Sequence, residues 1–121
     1  MTKTNKPVIY DLEERTYQFA KNIAFFCKKL PRNISNIKYI DQLIRASGSV
    51  GANYIEANES LSRKDFVMRI KICRKESKEA AYWIRLITET NFEDLIEEGL
   101  LLKEEATQLK KIFCCIIEKS S

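Results

Sequence analysis

Leu12, Phe19, Ile23, Phe26 and Leu30 recur at steps of seven, four, three and four residues, a spacing that lines one side of an α-helix. The pattern predicts a first helix over 11–29. Asp11, Glu13 and Glu14 crowd its first turn and Lys28 and Lys29 its last, which matches the helix dipole at both ends, and Pro31 disfavours helical geometry at Leu30. A second helix is expected to begin near Ser35 or Asn36 and to turn Ile37, Ile40, Leu43 and Ile44 inward, with Ser47, Gly51, Tyr54 and Asn58 following on that face. Its centre is unusual. Ala46-Ser47-Gly48-Ser49 and Gly51-Ala52 put small side chains through two turns, although each interior Gly costs about 1 kcal/mol relative to Ala. Close approach of another helix would compensate; a glycine kink or a break into two helices is the competing reading.

Ser62 followed by Asp65 reads as a variant capping box that opens a third helix. Its stripe Phe66, Ile70, Cys73, Ser77, Ala80, Ile84, Ile87 alternates steps of four and three, the most regular period in the chain and the spacing of helices that cross at about +20° in left-handed bundles. Asn91 could cap a short helical turn over 94–98 closed by Gly99, and a last helix over 103–119 is expected to bury Ala106, Leu109, Phe113 and Ile116 or Ile117. Four amphipathic helices joined by short links make an all-α, antiparallel up-down-up-down four-helix bundle the economical arrangement, with 1–9 a flexible N-terminal segment and 10–119 the domain.

Composition supports helices. At 121 residues the chain suits one domain, and three Gly and two Pro leave little room for the turns of an all-β fold. Cys27, Cys73, Cys114 and Cys115 form neither a CxxC pair nor zinc-site spacing and read as reduced core fillers. No apolar run approaches the roughly 20 residues that span a bilayer, and Met1–Lys6 lacks the apolar stretch of a signal peptide, so a cytoplasmic protein without a membrane partner is expected.

The absence of histidine narrows the chemistry. Bundles that use paired iron or manganese carry Glu-x-x-His on two helices; Glu56-x-x-Glu59 and Glu76-x-x-Glu79 have the spacing but no imidazole, so neither a metal nor another cofactor is expected. Ser-His-Asp and Cys-His nucleophile arrangements fall for the same reason, as does the Arg-x-x-x-x-His motif of helical ribonucleases. Gly48 and Gly51 follow an apolar helical run and not a strand, which excludes a phosphate loop. The chain reads as a non-enzyme with no catalytic residues.

Charge distribution says more than the net +4. Residues 91–121 hold 4 Lys and Arg against 7 Asp and Glu, whereas the preceding 90 are basic. Opposite the apolar stripe of the third helix, Lys64, Lys71, Lys75, Lys78 and Arg85 fall within a narrow arc that includes Tyr82. Lys71 and Lys75 repel one another one turn apart, a repulsion that a nucleic-acid phosphate backbone would relieve; a solvated lysine face, partly offset by Glu79, is the alternative. The same helix carries a second apolar stripe, Met68, Ile72, Trp83 and Leu86, with Glu79 inside it. On the second helix Arg45, Ser49, Ala52 and Glu56, beside Gly48, form a face that is small in the middle and charged at its ends, as a contact surface would be. Arg45 and Glu56 lie about 16 Å apart along the axis and cannot pair. Arg45 is expected either to meet a carboxylate such as Glu76 or Glu79, in its own or a neighbouring subunit, or to be hydrated.

The run Gln42-Leu43-Ile44-Arg45-Ala46-Ser47-Gly48-Ser49-Val50-Gly51-Ala52-Asn53-Tyr54-Ile55-Glu56-Ala57-Asn58-Glu59, then Ser62-Arg63-Lys64-Asp65-Phe66 and Lys75-Glu76-Ser77-Lys78-Glu79-Ala80-Ala81-Tyr82-Trp83, resembles the bacterial four-helix-bundle proteins encoded within intervening sequences of 23S ribosomal RNA genes. Asp11-Leu12 and Leu30-Pro31 fit as well, whereas Cys73-Arg74 departs from the small and apolar residues expected there. The resemblance spans about 10–87. It implies an antiparallel bundle that assembles into a ring, commonly a homopentamer, and it recasts the small-residue helix as a subunit-packing element. Accessory variability proteins of diversity-generating retroelements, a related group, form basic pentamers that bind nucleic acid and a reverse transcriptase. Two readings follow: a non-catalytic oligomer that contacts RNA or DNA through the basic arc, and a scaffold that docks an unknown protein partner.

Overall fold

In the computed structural model, which describes residues 11–120, the chain folds into four α-helices: α1 Leu12–Lys28, α2 Ile34–Asn58, α3 Arg63–Glu89 and α4 Ile96–Ser120, the last preceded by a 3-10 turn at Glu93–Leu95. There is no strand among the described residues. The expectation for 1–9 lies outside the described residues. Side-chain pairing fixes the directions. Asn58 donates to Glu13 across α1 and α2, Arg69 to Asn53 across α2 and α3, and Arg15 to Glu105 across α1 and α4, each consistent with antiparallel neighbours. Each helix packs on the next, and α1 closes the bundle against α4.

The core follows the predicted stripes on three helices. Leu12, Phe19, Ile23, Phe26 and Leu30 of the first segment, Ile70, Cys73, Ser77, Ala80, Ile84 and Ile87 of α3, and Ala106, Leu109, Phe113 and Ile117 of α4 are all buried. Ser62 caps α3, its hydroxyl accepting from the Asp65 amide at 3.1 Å. Arg15 reaches Glu105 through two hydrogen bonds of 2.7 and 2.9 Å, which raise its guanidinium above the ordinary value and tie α1 to α4.

Three expectations are corrected. First, α2 starts earlier than Ser35, because Asn33 caps it by accepting from the Asn36 amide at 2.8 Å. It then runs through both glycines unbroken, and its buried row is Asn36, Leu43, Ala46, Ser47, Val50 and Ala57. Ile37 and Ile44 follow that row by one position, a rotation of about 100°, so they stand 48% and 41% exposed on the flank toward α1; Asn58 is exposed as well. Second, Gly99 does not end a helix. It lies buried inside α4, where a Cβ would collide with the Thr88 hydroxyl, so α3 and α4 approach closely here. The last helix consequently begins at Ile96 and not near Lys103. Third, only two cysteines fill the core: Cys27 and Cys73 are buried, Cys114 is half-buried and Cys115 exposed, because each step of about 100° beyond the buried Phe113 turns the side chain further from the core.

Candidate functional site

α2 has two outward flanks, and the sequence-derived candidates divide between them. Toward α3, Arg45 meets two carboxylates of its own chain: its Nη1 lies 3.9 Å from Glu76 Oε1 and its Nη2 3.9 Å from Glu79 Oε1. Lys75 approaches the same pair from the other side, at 3.8 Å from Glu76 and 3.9 Å from Glu79. All four contacts exceed hydrogen-bond length, so this is a charge cluster and not a bonded network. Glu76 is the deepest member, its side chain 7% exposed, and its Oε1 is buried without a hydrogen-bond partner. A buried carboxylate oxygen in that state is costly, and the flanking cations offset part of the cost.

One and two turns further on, Ser49 accepts from the Asn53 amide group at 2.9 Å, and Asn53 accepts from Arg69 at 3.0 Å. Ser49 is therefore tied into the α2–α3 seam, whereas Ala52 and Glu56 are exposed, Glu56 with no ion pair among the described residues. The second apolar stripe of α3 borders this seam. Met68 is 52% exposed, Ile72 and Leu86 are half-buried, and Trp83 is partly consumed within the chain, tilted against Tyr39 of α2 at 6.0 Å and edge-on to Tyr82 at 5.0 Å.

Toward α1, the structure adds a surface that includes Ile37 and Ile44, which periodicity assigned to the core. Ile37, Ile44, Gly48 and Ile55 recur at seven, four and seven residues and share one exposed flank of α2. Gly48 belongs to this strip and not to the Arg45 face, and a Cβ placed on it would meet nothing within 4 Å. The strip opens into a cleft of about 610 Å³ against the end of α1, with Lys28, Ile40 and Asp41 along it.

The basic arc is divided too. Lys75 turns to Glu76 and Glu79, and Arg85 is held by Glu89 at 3.1 Å, while Lys64, Lys71 and Lys78 are exposed and without an ion pair among the described residues. Sequence reading missed that α4, acidic in total, presents Lys103 to this side: Lys103 lines one cleft of about 510 Å³ together with Arg85, Glu89, Glu93 and Gly99. The signal was available only in the register of α4 against α3, which depended on Gly99. Among the described residues no group of three or more His, Cys, Asp and Glu side chains is placed to hold a metal ion, and no helix is long and apolar enough to cross a membrane.

With this geometry in place, comparison with known proteins is decisive for the family. The family model described as 23S rRNA-intervening sequence protein matches residues 10–114, which extends the resemblance across most of α4. The chain belongs to that family. No curated protein matches it. A solved structure of a protein of unknown function from the S23 ribosomal protein family of Bacteroides thetaiotaomicron VPI-5482 is 28% identical, with a TM-score of 0.78, and the match covers 91% of this chain and 97% of that one. That solved structure and this chain thus share one scaffold over most of their length. At Cys73-Arg74, where the chain departs from the expected small and apolar residues, Cys73 fills the core, and its Sγ donates to the Val50 carbonyl at 3.4 Å.

Proposed function

We propose that this chain is a non-catalytic homo-oligomer, a ring of five copies as the family resemblance implies, that binds RNA or DNA phosphates through the exposed lysines of α3. The observation that carries the assembly is the pair of unlike surfaces on either side of α2. One is an apolar strip around Gly48; the other is a charged and apolar seam around Arg45, Glu76, Met68 and Ile72. Two different surfaces that fit one another head to tail generate a closed ring when the rotation between copies closes, whereas a two-fold dimer needs one surface that fits itself. The free lysines lie on a third side, clear of both, so a ring would repeat them and several weak phosphate contacts would act together.

Light scattering coupled to gel filtration tests the assembly, and a monomer at micromolar concentration overturns it. Arg45→Ala sharpens the reading: unchanged oligomer size and unchanged melting temperature would remove the Arg45 cluster from the contact. Phosphate binding is tested by RNA affinity at low and physiological salt. It should fall steeply with salt and be lost on reversal of Lys64, Lys71 and Lys78 to Glu; salt-independent binding, or binding that survives reversal, defeats it. A scaffold for another protein is the second reading, favoured by the open cleft beside Ile37 and Ile44, and it predicts a partner displaced by Ile44→Asp with no nucleic-acid affinity at any salt.

A further inference from the structure

The α3 lysines that remain exposed are spaced as a row. Lys64, Lys71, Lys78 and Arg85 are each seven residues apart, about 10.5 Å per step along the helix, and all four are exposed. α4 carries a second row with the same period, Lys103 and Lys110, both half-buried. The contact between Gly99 and Thr88 sets the register of the two helices. Because they are antiparallel, counting back from Thr88 and forward from Gly99 brings Lys103 level with Arg85, as their shared cleft shows, and Lys110 level with Lys78. Half-buried Arg74 falls between the rows, and at the far end the Arg63 guanidinium donates to the Ser120 carbonyl at 2.8 Å. The bordering carboxylates are Glu89, which holds Arg85, and Glu93 in the same cleft; Glu118 is exposed on α4.

We infer that the groove between α3 and α4 is a single-strand nucleic-acid channel, its phosphate backbone held between the two cation rows; this rests on the nucleic-acid reading above and adds Lys103, Lys110 and Arg74 to it. Neighbouring helix axes lie about 8–10 Å apart, so the groove is too narrow for a duplex, which would ride on the outer row alone and leave the half-buried α4 lysines untouched. A single strand can enter between the rows. It also has free bases, which can turn outward over α3: there Tyr82, between Lys78 and Arg85 in sequence, is 61% exposed on the side away from α4, braced edge-on by Trp83, and with Arg85, Leu86 and Glu89 it outlines a shallow cleft of about 220 Å³. Stacking on such a ring tolerates any base, which suits a channel that reads backbone and not sequence. Arg85 joins when phosphate displaces Glu89 from its guanidinium.

The test is fluorescence anisotropy with a labelled 20-nucleotide single-stranded oligouridine and a mixed-sequence RNA duplex of equal length, across a salt series, on the full chain. Single strand should bind at least tenfold more tightly than duplex. Lys103→Gln with Lys110→Gln should weaken single-strand binding about tenfold and lower the slope of log affinity against log salt by roughly 1.4, two contacts at about 0.7 each. Tyr82→Ala should cost about tenfold and Tyr82→Phe little. Unchanged elution volume and helical content in each variant keep folding out of the comparison, and Lys103→Ala with Lys110→Ala serves if the glutamine pair misfolds. Duplex bound as well as single strand overturns the channel. So does binding indifferent to Lys103 and Lys110 yet lost on reversal of Lys71 and Lys78, an outcome that leaves the wider phosphate reading intact. No affinity for either RNA at low salt removes both.

Discussion

A methyl group added at Gly99 would meet the Thr88 hydroxyl, which is itself committed to the Ile84 carbonyl at 2.7 Å and cannot turn away without breaking that bond. Gly99→Ala is therefore expected to destabilise the fold by about 1–3 kcal/mol, measured by urea unfolding, through overpacking of α3 against α4. Gly48 behaves oppositely. Its added methyl enters open space, so Gly48→Ala should stabilise the dissociated chain by about 1 kcal/mol, the helix-propensity difference. If copies pack across it, the same substitution should shift the oligomer toward smaller species in dilution experiments; gained stability with unchanged assembly would place Gly48 outside the contact. The two core thiols add a pH effect. Burial pushes Cys73 up to about 12 and Cys27 up to about 11 from an ordinary value near 9. Below pH 9 both are protonated whether folded or not and contribute nothing to pH dependence. Above it the unfolded chain releases protons that the folded chain keeps, so stability should fall, by at most about 1.4 kcal/mol per pH unit for each thiol. Urea titrations at pH 8 and 10.5 check this, and Cys73→Ala should flatten the decline.

The helices themselves were legible where one apolar stripe had no competitor. The four-three alternation from Ile70 to Ile87 placed the α3 core residue by residue, with Phe66 half-buried at its edge, and the Ser62 cap set the start of the helix. α2 was harder because its apolar arc is wider than its buried row: Ile37 and Ile44 continue the predicted stripe as convincingly as Leu43 does, and only the packing of α1 and α3 selects the true inner row. Gly99 was misread for a related reason, since a glycine between apolar runs looks the same in sequence whether it ends a helix or admits a neighbour. What sequence could not show at all is how the helix ends are tied. Asn36, in the first turn of α2, and Asn91, just after α3, exchange paired amide hydrogen bonds of 2.9 Å in both directions. Each also donates at 2.8 Å to a backbone carbonyl, Pro31 for Asn36 and Ile87 for Asn91. This joins the α1–α2 link to the α3–α4 link at one end of the bundle. Asn36 is buried, so Asn36→Ala should cost about 1–3 kcal/mol in urea unfolding, chiefly by leaving the Asn91 amide and the Pro31 carbonyl without their partner. Asn36→Asp should be no better, because a carboxylate cannot donate to Pro31.

At the scale of the whole molecule, the candidate surfaces were partly visible in the sequence as residues that the bundle did not need, but their grouping was not. Arg45, Glu76 and Glu79 converge because α2 and α3 run antiparallel in one particular register, and Gly48 and Ile44 separate from them because α2 presents two flanks. That division makes a definite claim about assembly. Ile44 and Met68 are both substantially exposed, so Ile44→Asp and Met68→Asp should each leave the single-chain fold within about 1 kcal/mol of the original. In a head-to-tail ring every contact joins the Ile44 strip of one copy to the Met68 seam of the next, and either variant alone has lost one half of every contact and should be monomeric. Mixed in equal amounts, they behave differently. The intact strip of the Met68→Asp chain can meet the intact seam of the Ile44→Asp chain once, and no further copy can be added at either end. Light scattering of the mixture should therefore report a dimer and no larger species. A two-fold contact gives another result: if the Ile44 strip paired with itself, Met68→Asp alone would remain dimeric, and mixing would add nothing.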